Sequence, residues 1–349
     1  MGDKLLDAMT KGLSLQTAED AITVHGWLST GNYALNWAVS DRFAARGWPL
    51  GCVVELFGDE STGKTFLLLR AVTEAQRSGG LAVFDDVEGR LSKDWARRRL
   101  GVDTGSLLYT CSETVEEHYE LLDGVLEQYE KHGEDRPLLA LLDSIGQLST
   151  VHEMETPFKT RDMTKAYQLR KLFRMMKSRL QGLPVVYIAT NHVYAKIGAS
   201  PWESKKESTG GGGFKYQSSL RLSMRTPKKV KGDGDLAGII IRMVVEKNSV
   251  AIPYRETSMM IPFDRPINPH SGLIAKLLDL GYLGTTSKHT LTWEGEDTGI
   301  PAHKTQSNEA FLKQDESAIA LLTAYPDLLT KVDADLERRE TGKAPEEAE

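Results

Sequence analysis

The chain has 349 residues, 40% hydrophobic and 26% charged, with a formal net charge of −6; this is ordinary for a globular protein of one large or two modest domains. No apolar run approaches the roughly 18 residues of a membrane span, and the start of the chain, with Asp3 and Lys4, lacks the apolar core of a secretory signal. Cys52 and Cys111 each sit in apolar sequence and read as buried thiols rather than a disulfide, as expected in a reducing, cytoplasmic compartment.

Residues 1–20 predict a short helix with Leu5, Leu6, Met9, Leu13 and Leu15 at its apolar positions. It is too small to bury itself, so residues 1–25 read as a segment that docks on its own domain or on a neighbouring copy. A loop at 27–31 and a helix at 33–39 lead to a turn at 47–51 and an apolar strand at 52–57. Then come Gly58, Asp59, Glu60, Ser61, Thr62, Gly63, Lys64 and Thr65, which fit G-x-x-x-x-G-K-[ST], and Phe66 opens the helix that follows. Strand, glycine loop and helix in this order form a phosphate-binding loop. Backbone amides turn inward around the phosphates, and the positive end of the helix points at them. Lys64 adds a charge, and the Thr65 hydroxyl is placed to ligate Mg²⁺. The chain is expected to bind a nucleoside triphosphate.

Beyond this helix, a strand at 81–84 runs into Asp85, Asp86 and Glu88, acids at a strand end where open α/β sheets place their chemistry. A third strand covers 107–109 and a helix 113–131. The apolar strand at 137–142 ends in Asp143, a Walker-B pattern that holds the shell of a bound Mg²⁺. An amphipathic helix spans 163–180, with Leu169, Leu172, Phe173, Met176 and Leu180 on its apolar face. The strand at 184–190 ends in Asn191 and His192, a polar pair within reach of a γ-phosphate. Residues 193–214 read as a long polar loop with Lys196, Lys205, Lys206 and the run Gly210, Gly211, Gly212, Gly213. Strands at 220–224 and 239–245 enclose a turn at 228–234. From 266 the pattern changes to a smaller helical unit, 266–330, and residues 331–349 end a helix predicted over 316–339 and form an acidic tail. Charge is segregated. Between Lys159 and Lys231 there are 17 Lys/Arg against 3 Asp/Glu, a local net of +14, which points to one surface for an anionic polymer.

The order of these motifs resembles the RecA recombinase family over roughly residues 24–330, and within it the phage-type UvsX-like branch. The resemblance implies an α/β fold: a RecA-type P-loop ATPase core over 26–265, with a central, mostly parallel sheet flanked by helices, and a small C-terminal α-rich domain. Residues 58–65 match the family P-loop, including the internal Glu60. Asp86-Val87-Glu88 matches the segment whose glutamate activates water, and Trp95 falls where an aromatic ring stacks on adenine. Leu142-Asp143-Ser144 matches Walker B, and Asn191-His192 the γ-phosphate sensor, with His in place of Gln. Gly210 to Tyr216, with Lys215, resembles the second DNA-binding loop and the interface aromatic after it. Lys247 matches the first of two lysines that reach the neighbouring subunit's ATP, and Ser249 replaces the second.

By that match Lys64, Glu88, His192 and Lys247 are the catalytic set, ATP and Mg²⁺ the cofactors, and single- and double-stranded DNA the partners. Self-assembly into a head-to-tail helical filament is implied too, with a loader and a single-strand-binding protein as further partners. The expected function is ATP-dependent homologous pairing and strand exchange on single-stranded DNA, in a host bacterial cytoplasm if the chain is phage-encoded. A RecA-core hexameric helicase is the principal alternative. It ordinarily carries a larger N-terminal helical domain, whereas about 25 residues precede the core here. A non-catalytic ATP-binding accessory is the second, and intact Lys64, Glu88 and Asp143 argue against it.

Overall fold

The architecture follows from alternation of short apolar strands with amphipathic helices. The computed structural model describes residues 9–10, 24–133, 136–156, 164–195, 206–208, 212–231, 236–263, 266–303 and 308–341. Strand β1 (Trp27–Leu28), helix α1 (Tyr33–Ser40) and strand β2 (Trp48–Pro49) form an entry layer, with β1 and β2 antiparallel. Asn32 caps α1 by accepting from the Leu35 amide at 2.9 Å, and its own amide donates to the Ser271 carbonyl at 2.9 Å.

The core alternates β3 (Val53–Gly58), α2 (Lys64–Arg77), β4 (Leu81–Asp85), the turn α3 (Lys93–Trp95), β5 (Leu107–Thr110), α4 (Val115–His132), β6 (Leu138–Leu142), α5 (Val151–Glu155), α6 (Lys165–Leu180) and β7 (Val185–Ala195). It continues with β8 (Lys206–Ser208), α7 (Gly212–Gln217), β9 (Leu220–Met224), β10 (Lys228–Lys231), β11 (Leu236–Asn248) and β12 (Glu256–Pro262). The sheet runs β10-β11-β9-β3-β7-β6-β4-β5, with β12 also on β11. From β9 to β5 all neighbours are parallel, while β10, β11 and β12 pair antiparallel. Both faces of β3, β4 and β6 are covered, which is why they read as continuous apolar runs. Val54 and Leu56 join the cluster built with Leu67 and Leu68 of α2, whereas Val53 joins Leu122 of α4 and Leu172 of α6 on the other face.

The C-terminal region consists of α8 (Leu273–Asp279), an antiparallel sheet of β13 (Leu283–Thr285), β14 (Thr290–Trp293) and β15 (Glu296–Pro301), then α9 (Asn308–Ala324) and α10 (Leu328–Thr341). The three-stranded sheet adds to the helices expected here. Leu277, Leu291, Leu321 and Leu328 belong to the same apolar cluster as Val54 and Leu56, so burial is continuous across residue 266. Asp333 of α10 accepts from the backbone amides of Phe43, Ala44 and Ala45 at 2.6, 2.8 and 3.0 Å, fastening the last helix to the entry layer.

Several local expectations are corrected. The helix predicted over 316–339 is two helices, because Pro326 lacks an N–H and pushes Tyr325 out of helical backbone. The turn expected at 228–234 is in its first half strand β10, paired to β11. Within the expected loop 193–214, Val193, Tyr194 and Ala195 pair with Ser208, Glu207 and Lys206, and Gly212 begins α7. Cys52 is buried as expected but Cys111 is exposed, since it follows β5, the outermost strand of the sheet. The helix predicted over 1–20 lies almost wholly outside the described residues. Among the described residues no helix is long and apolar enough to cross a membrane.

Candidate active site

Two glycines shape the loop that leaves β3. A Cβ on Gly58 would lie 2.2 Å from the Met224 carbonyl oxygen, so the chain can pass β9 here only without a side chain. Gly63 has φ +89° and opens α2, a backbone conformation that other residues rarely adopt. Between them Thr62 Oγ1 donates to the Asp59 carbonyl at 3.0 Å and holds the loop closed. Lys64 Nζ lies buried inside it, donating to the carbonyls of Gly58 at 3.1 Å and Asp59 at 2.8 Å. Burial pushes the Lys64 ammonium below its ordinary value, against the pull of Asp143, Glu88, Asp59 and Glu60.

The neighbouring strand ends bring the acids to this loop. Thr65 Oγ1 donates to Asp143 Oδ2 at 2.5 Å, and the Thr190 hydroxyl donates to the other oxygen of the same carboxylate. Burial raises the Asp143 carboxyl; the two hydroxyls oppose this, and the charges of Glu88 and Asp86 add to it. A hydroxyl and a carboxylate facing each other form an oxygen donor set that fits a hard divalent cation such as Mg²⁺, which binds through few protein oxygens plus phosphates.

Glu88 sits in the turn after β4, with its amide donating to the Asp143 carbonyl at 3.1 Å. Its Oε1 accepts from Ser144 Oγ at 3.0 Å and lies 3.0 Å from His192 Nε2, while Arg90 approaches Oε2 at 3.2 Å. Burial alone would raise this carboxyl. The hydrogen bonds from His192 and Ser144, with the charges of His192 and Arg90, outweigh it and hold the group below its ordinary value. Glu88 is therefore an ionised acceptor at neutral pH. The β3–β7 register sets His192 beside Gly58, so His192, Glu88 and the 58–65 loop share one rim. Asp86 braces the turn: its Oδ2 accepts from the Leu91 amide at 2.8 Å and from the Tyr109 hydroxyl at 3.1 Å. Burial and the Asp86 charge push the Tyr109 phenol up to about 12.

A cavity of about 210 Å³ opens next to Phe66 and is lined by Trp95, Arg99, Ile261, Pro262, Phe263 and Ile267. Trp95 is 39% exposed and meets Phe66 edge-on, ring centroids 6.2 Å apart. Phe263 faces the same space from the end of β12, and nothing local in the sequence singles it out. Also missed were Arg90 and Thr190, and a buried network on three adjacent strands. There Glu55 pairs with Arg221 and accepts from Asn191 Nδ2 at 2.9 Å, and Arg221 lies 4.4 Å over the Phe57 ring.

Of the other expected residues, Gly212, Gly213, Lys215, Tyr216 and Lys247 meet at α7. Lys215 and Tyr216 are exposed, Tyr216 by 74%. Lys247 Nζ donates to the carbonyls of Lys215 at 3.2 Å and Tyr216 at 3.0 Å, so within this one chain it caps the end of α7. Burial lowers the Lys247 ammonium, with Lys177 and Arg221 adding and Glu55 opposing. Lys206 falls in β8, and Gly212 and Gly213 in the first turn of α7. Lys196, Lys205, Gly210 and Gly211 lie outside the described residues.

Residues 8–268 match the model of the RecA N-terminal domain. The chain belongs to the RecA family. It is 31% identical over 290 residues to Protein RecA of Nocardia farcinica, covering 83% of this chain and 80% of that one. Similarity to Protein RecA of Mycobacteroides abscessus has the same extent, 31% over 290 residues. For Protein RecA of a Nocardioides species it is 28% over 340 residues, 95% of this chain and 90% of that one. RecA proteins are DNA-dependent ATPases of homologous recombination that pair and exchange strands and form filaments, and this chain shares that function.

Proposed function

We propose that the rim of residues 58–65, Glu88, Asp143 and His192 is the ATP-hydrolysing centre that drives strand exchange. The observation that carries this reading is the ionised Glu88, braced by Ser144 and His192 beside the Thr65–Asp143 pair. Gly58, Asp59, Glu60, Ser61, Thr62 and Gly63 would wrap the phosphates with backbone amides, and Lys64 would exchange its loop carbonyls for phosphate oxygens. Thr65 and Asp143 would hold Mg²⁺, which supplies charge neutralisation on the phosphates. Glu88 would orient the attacking water and accept its proton. His192 would tie Glu88 to the γ-phosphate. Phe66, Trp95 and Phe263 would clasp the base.

Single-stranded DNA would run along the segment with Lys196, Lys205, Lys206, Gly210 to Gly213 and Lys215, through phosphate contacts that leave sequence to base pairing. Residues 1–25 would join neighbours, 26–265 form the motor, and 266–330 with the 331–349 tail form the smaller unit. His192 after Asn191 supports the finer placement in the phage UvsX-like branch, and a loader and a single-strand-binding protein are the partners that branch implies.

Tyr216 and Lys247 would complete the site of the next subunit, which requires Lys247 to leave its own α7 carbonyls. Lys64→Ala subunits keep Lys247, and Lys247→Ala subunits keep Lys64. Each alone should be inactive on DNA, and mixing them should restore measurable hydrolysis at mixed interfaces. A Lys247→Ala protein that hydrolyses ATP at the unsubstituted rate would overturn the trans assignment.

A further inference from the structure

Behind the active-site rim, on the sheet face covered by α4 and α6, lies a chain of side chains that hydrolysis does not use. His118 of α4 is fully buried, 0% exposed, and its Nδ1 lies 2.6 Å from Asp85 Oδ2. Its Nε2 lies 2.8 Å from the Tyr187 hydroxyl. Asp85 and Tyr187 are buried as well, and Asp85 Oδ1 accepts from the Ser112 amide at 2.8 Å. Tyr187 stacks on Phe173 of α6 with centroids 6.2 Å apart, and Phe173 stacks on Phe214 of α7 at 3.8 Å.

The surrounding layer is apolar, and leucine or valine at 85 and 118 would fill it at no desolvation cost. The ends of the chain are more telling than its middle. Asp85 ends β4, its carbonyl accepts from the Asp143 amide at 2.9 Å, and Glu88 follows three residues on. Phe214 is in the first turn of α7, directly after the glycine run. The polar part also spans β6: His118 ties the end of β4 to β7, the strand that carries His192, across the strand between them.

We propose that His118 is a positioning residue, and that the Asp85–His118–Tyr187 chain, continued by Phe173 and Phe214, transmits the seating of α7 on DNA to the turn that holds Glu88. The inference rests on the reading above that the glycine-rich segment engages DNA and that Glu88 activates water. Close-packed interiors pass on a displacement rather than absorb it, and hydrogen bonds fix the direction in which it passes. A shift of α7 moves the Phe214–Phe173 stack, then the Tyr187 ring and hydroxyl, then the imidazole that orients Asp85.

Tyr187→Phe keeps the ring stack and removes the hydroxyl; Asp85→Leu with His118→Leu replaces the polar pair by apolar volume. Basal turnover, turnover with single-stranded DNA, and the affinities for ATP and DNA are measured for each. Both variants should keep basal turnover and both affinities near the unsubstituted values, while the ratio of stimulated to basal turnover falls about fivefold or more, the lower end of a typical coupling. A purely structural role would shift the thermal midpoint and leave that ratio unchanged. An unchanged ratio in Tyr187→Phe overturns the proposal, whether or not the double variant folds. If the unsubstituted protein shows no DNA stimulation, the reading of the DNA segment fails together with the relay; normal stimulation with an unaffected Tyr187→Phe removes the relay alone.

Discussion

Glu88→Gln is expected to bind ATP as the unsubstituted protein does and to turn it over at least ~10²-fold more slowly, the scale of one general-base contribution. The substitution is nearly isosteric and leaves an acceptor for Ser144 Oγ, so the turn after β4 keeps its shape. What it removes is the negative charge. His192, Ser144 and Arg90 hold the Glu88 carboxyl below its ordinary value despite burial, so the group is available as a base throughout the neutral range. In the proposed site, nucleotide binding would draw on Lys64, Thr65 and the loop amides, and among the described residues no hydrogen bond joins these to the Glu88 carboxylate. Equilibrium nucleotide binding and single-turnover hydrolysis separate the two effects. Near-normal turnover in Glu88→Gln would remove this residue from the chemistry.

The second large effect concerns stability and is expected at Glu55. The parallel register of β3 and β9 sets Glu55 opposite Arg221, and both side chains are buried at the centre of the sheet. Glu55→Leu removes the buried carboxylate that pairs with the Arg221 guanidinium and accepts from Asn191 Nδ2, at a cost of about 3–5 kcal/mol. Because the penalty comes from removing one member of a buried charge pair while the other stays in the core, Glu55→Leu with Arg221→Leu should be markedly milder. Denaturant midpoints of the single and double variants check this. A double variant as unstable as the single one would show that the pair is not what makes the single substitution costly. Asn191 immediately precedes His192, so the single variant should also lose DNA-stimulated hydrolysis before it loses its fold.

The rim of residues 58–65, Glu88, Asp143 and His192 was legible in the sequence as a candidate site wherever its elements are local. Residues 58–65 announce themselves because glycine spacing, lysine and threonine act within one strand–loop–helix unit, and Asp143 because it ends an apolar run. Glu88 and His192 were found by their places at strand ends. What brings them together is register between strands, and sequence does not display register. Ser144 and His192 meet Glu88 from positions 56 and 104 residues away, and Arg221 meets Glu55 across 166. For the same reason Asp85 looked like one more acid at a strand end, when its partner is a histidine on a helix face. Phe263 escaped notice because the cavity it shares with Trp95 forms only once β12 has paired with β11 and brought its end beside Phe66. Pro326 is a different case: the break between α9 and α10 was written in the sequence, and the apolar spacing on either side of it masked the signal. The exposure of Cys111 follows from β5 being the outer strand, a property of sheet order.

In the proposed function this rim powers an open, head-to-tail assembly on DNA. A heterologous interface whose rotation does not close generates a helix and not a ring. The most direct test is electron microscopy of the purified protein with single-stranded DNA and ATP, alongside Glu88→Gln to hold the nucleotide unhydrolysed. Extended helical filaments covering the DNA, persisting longer with Glu88→Gln, are the predicted result. Closed rings threaded on the strand, or uncoated DNA at saturating protein, would contradict it.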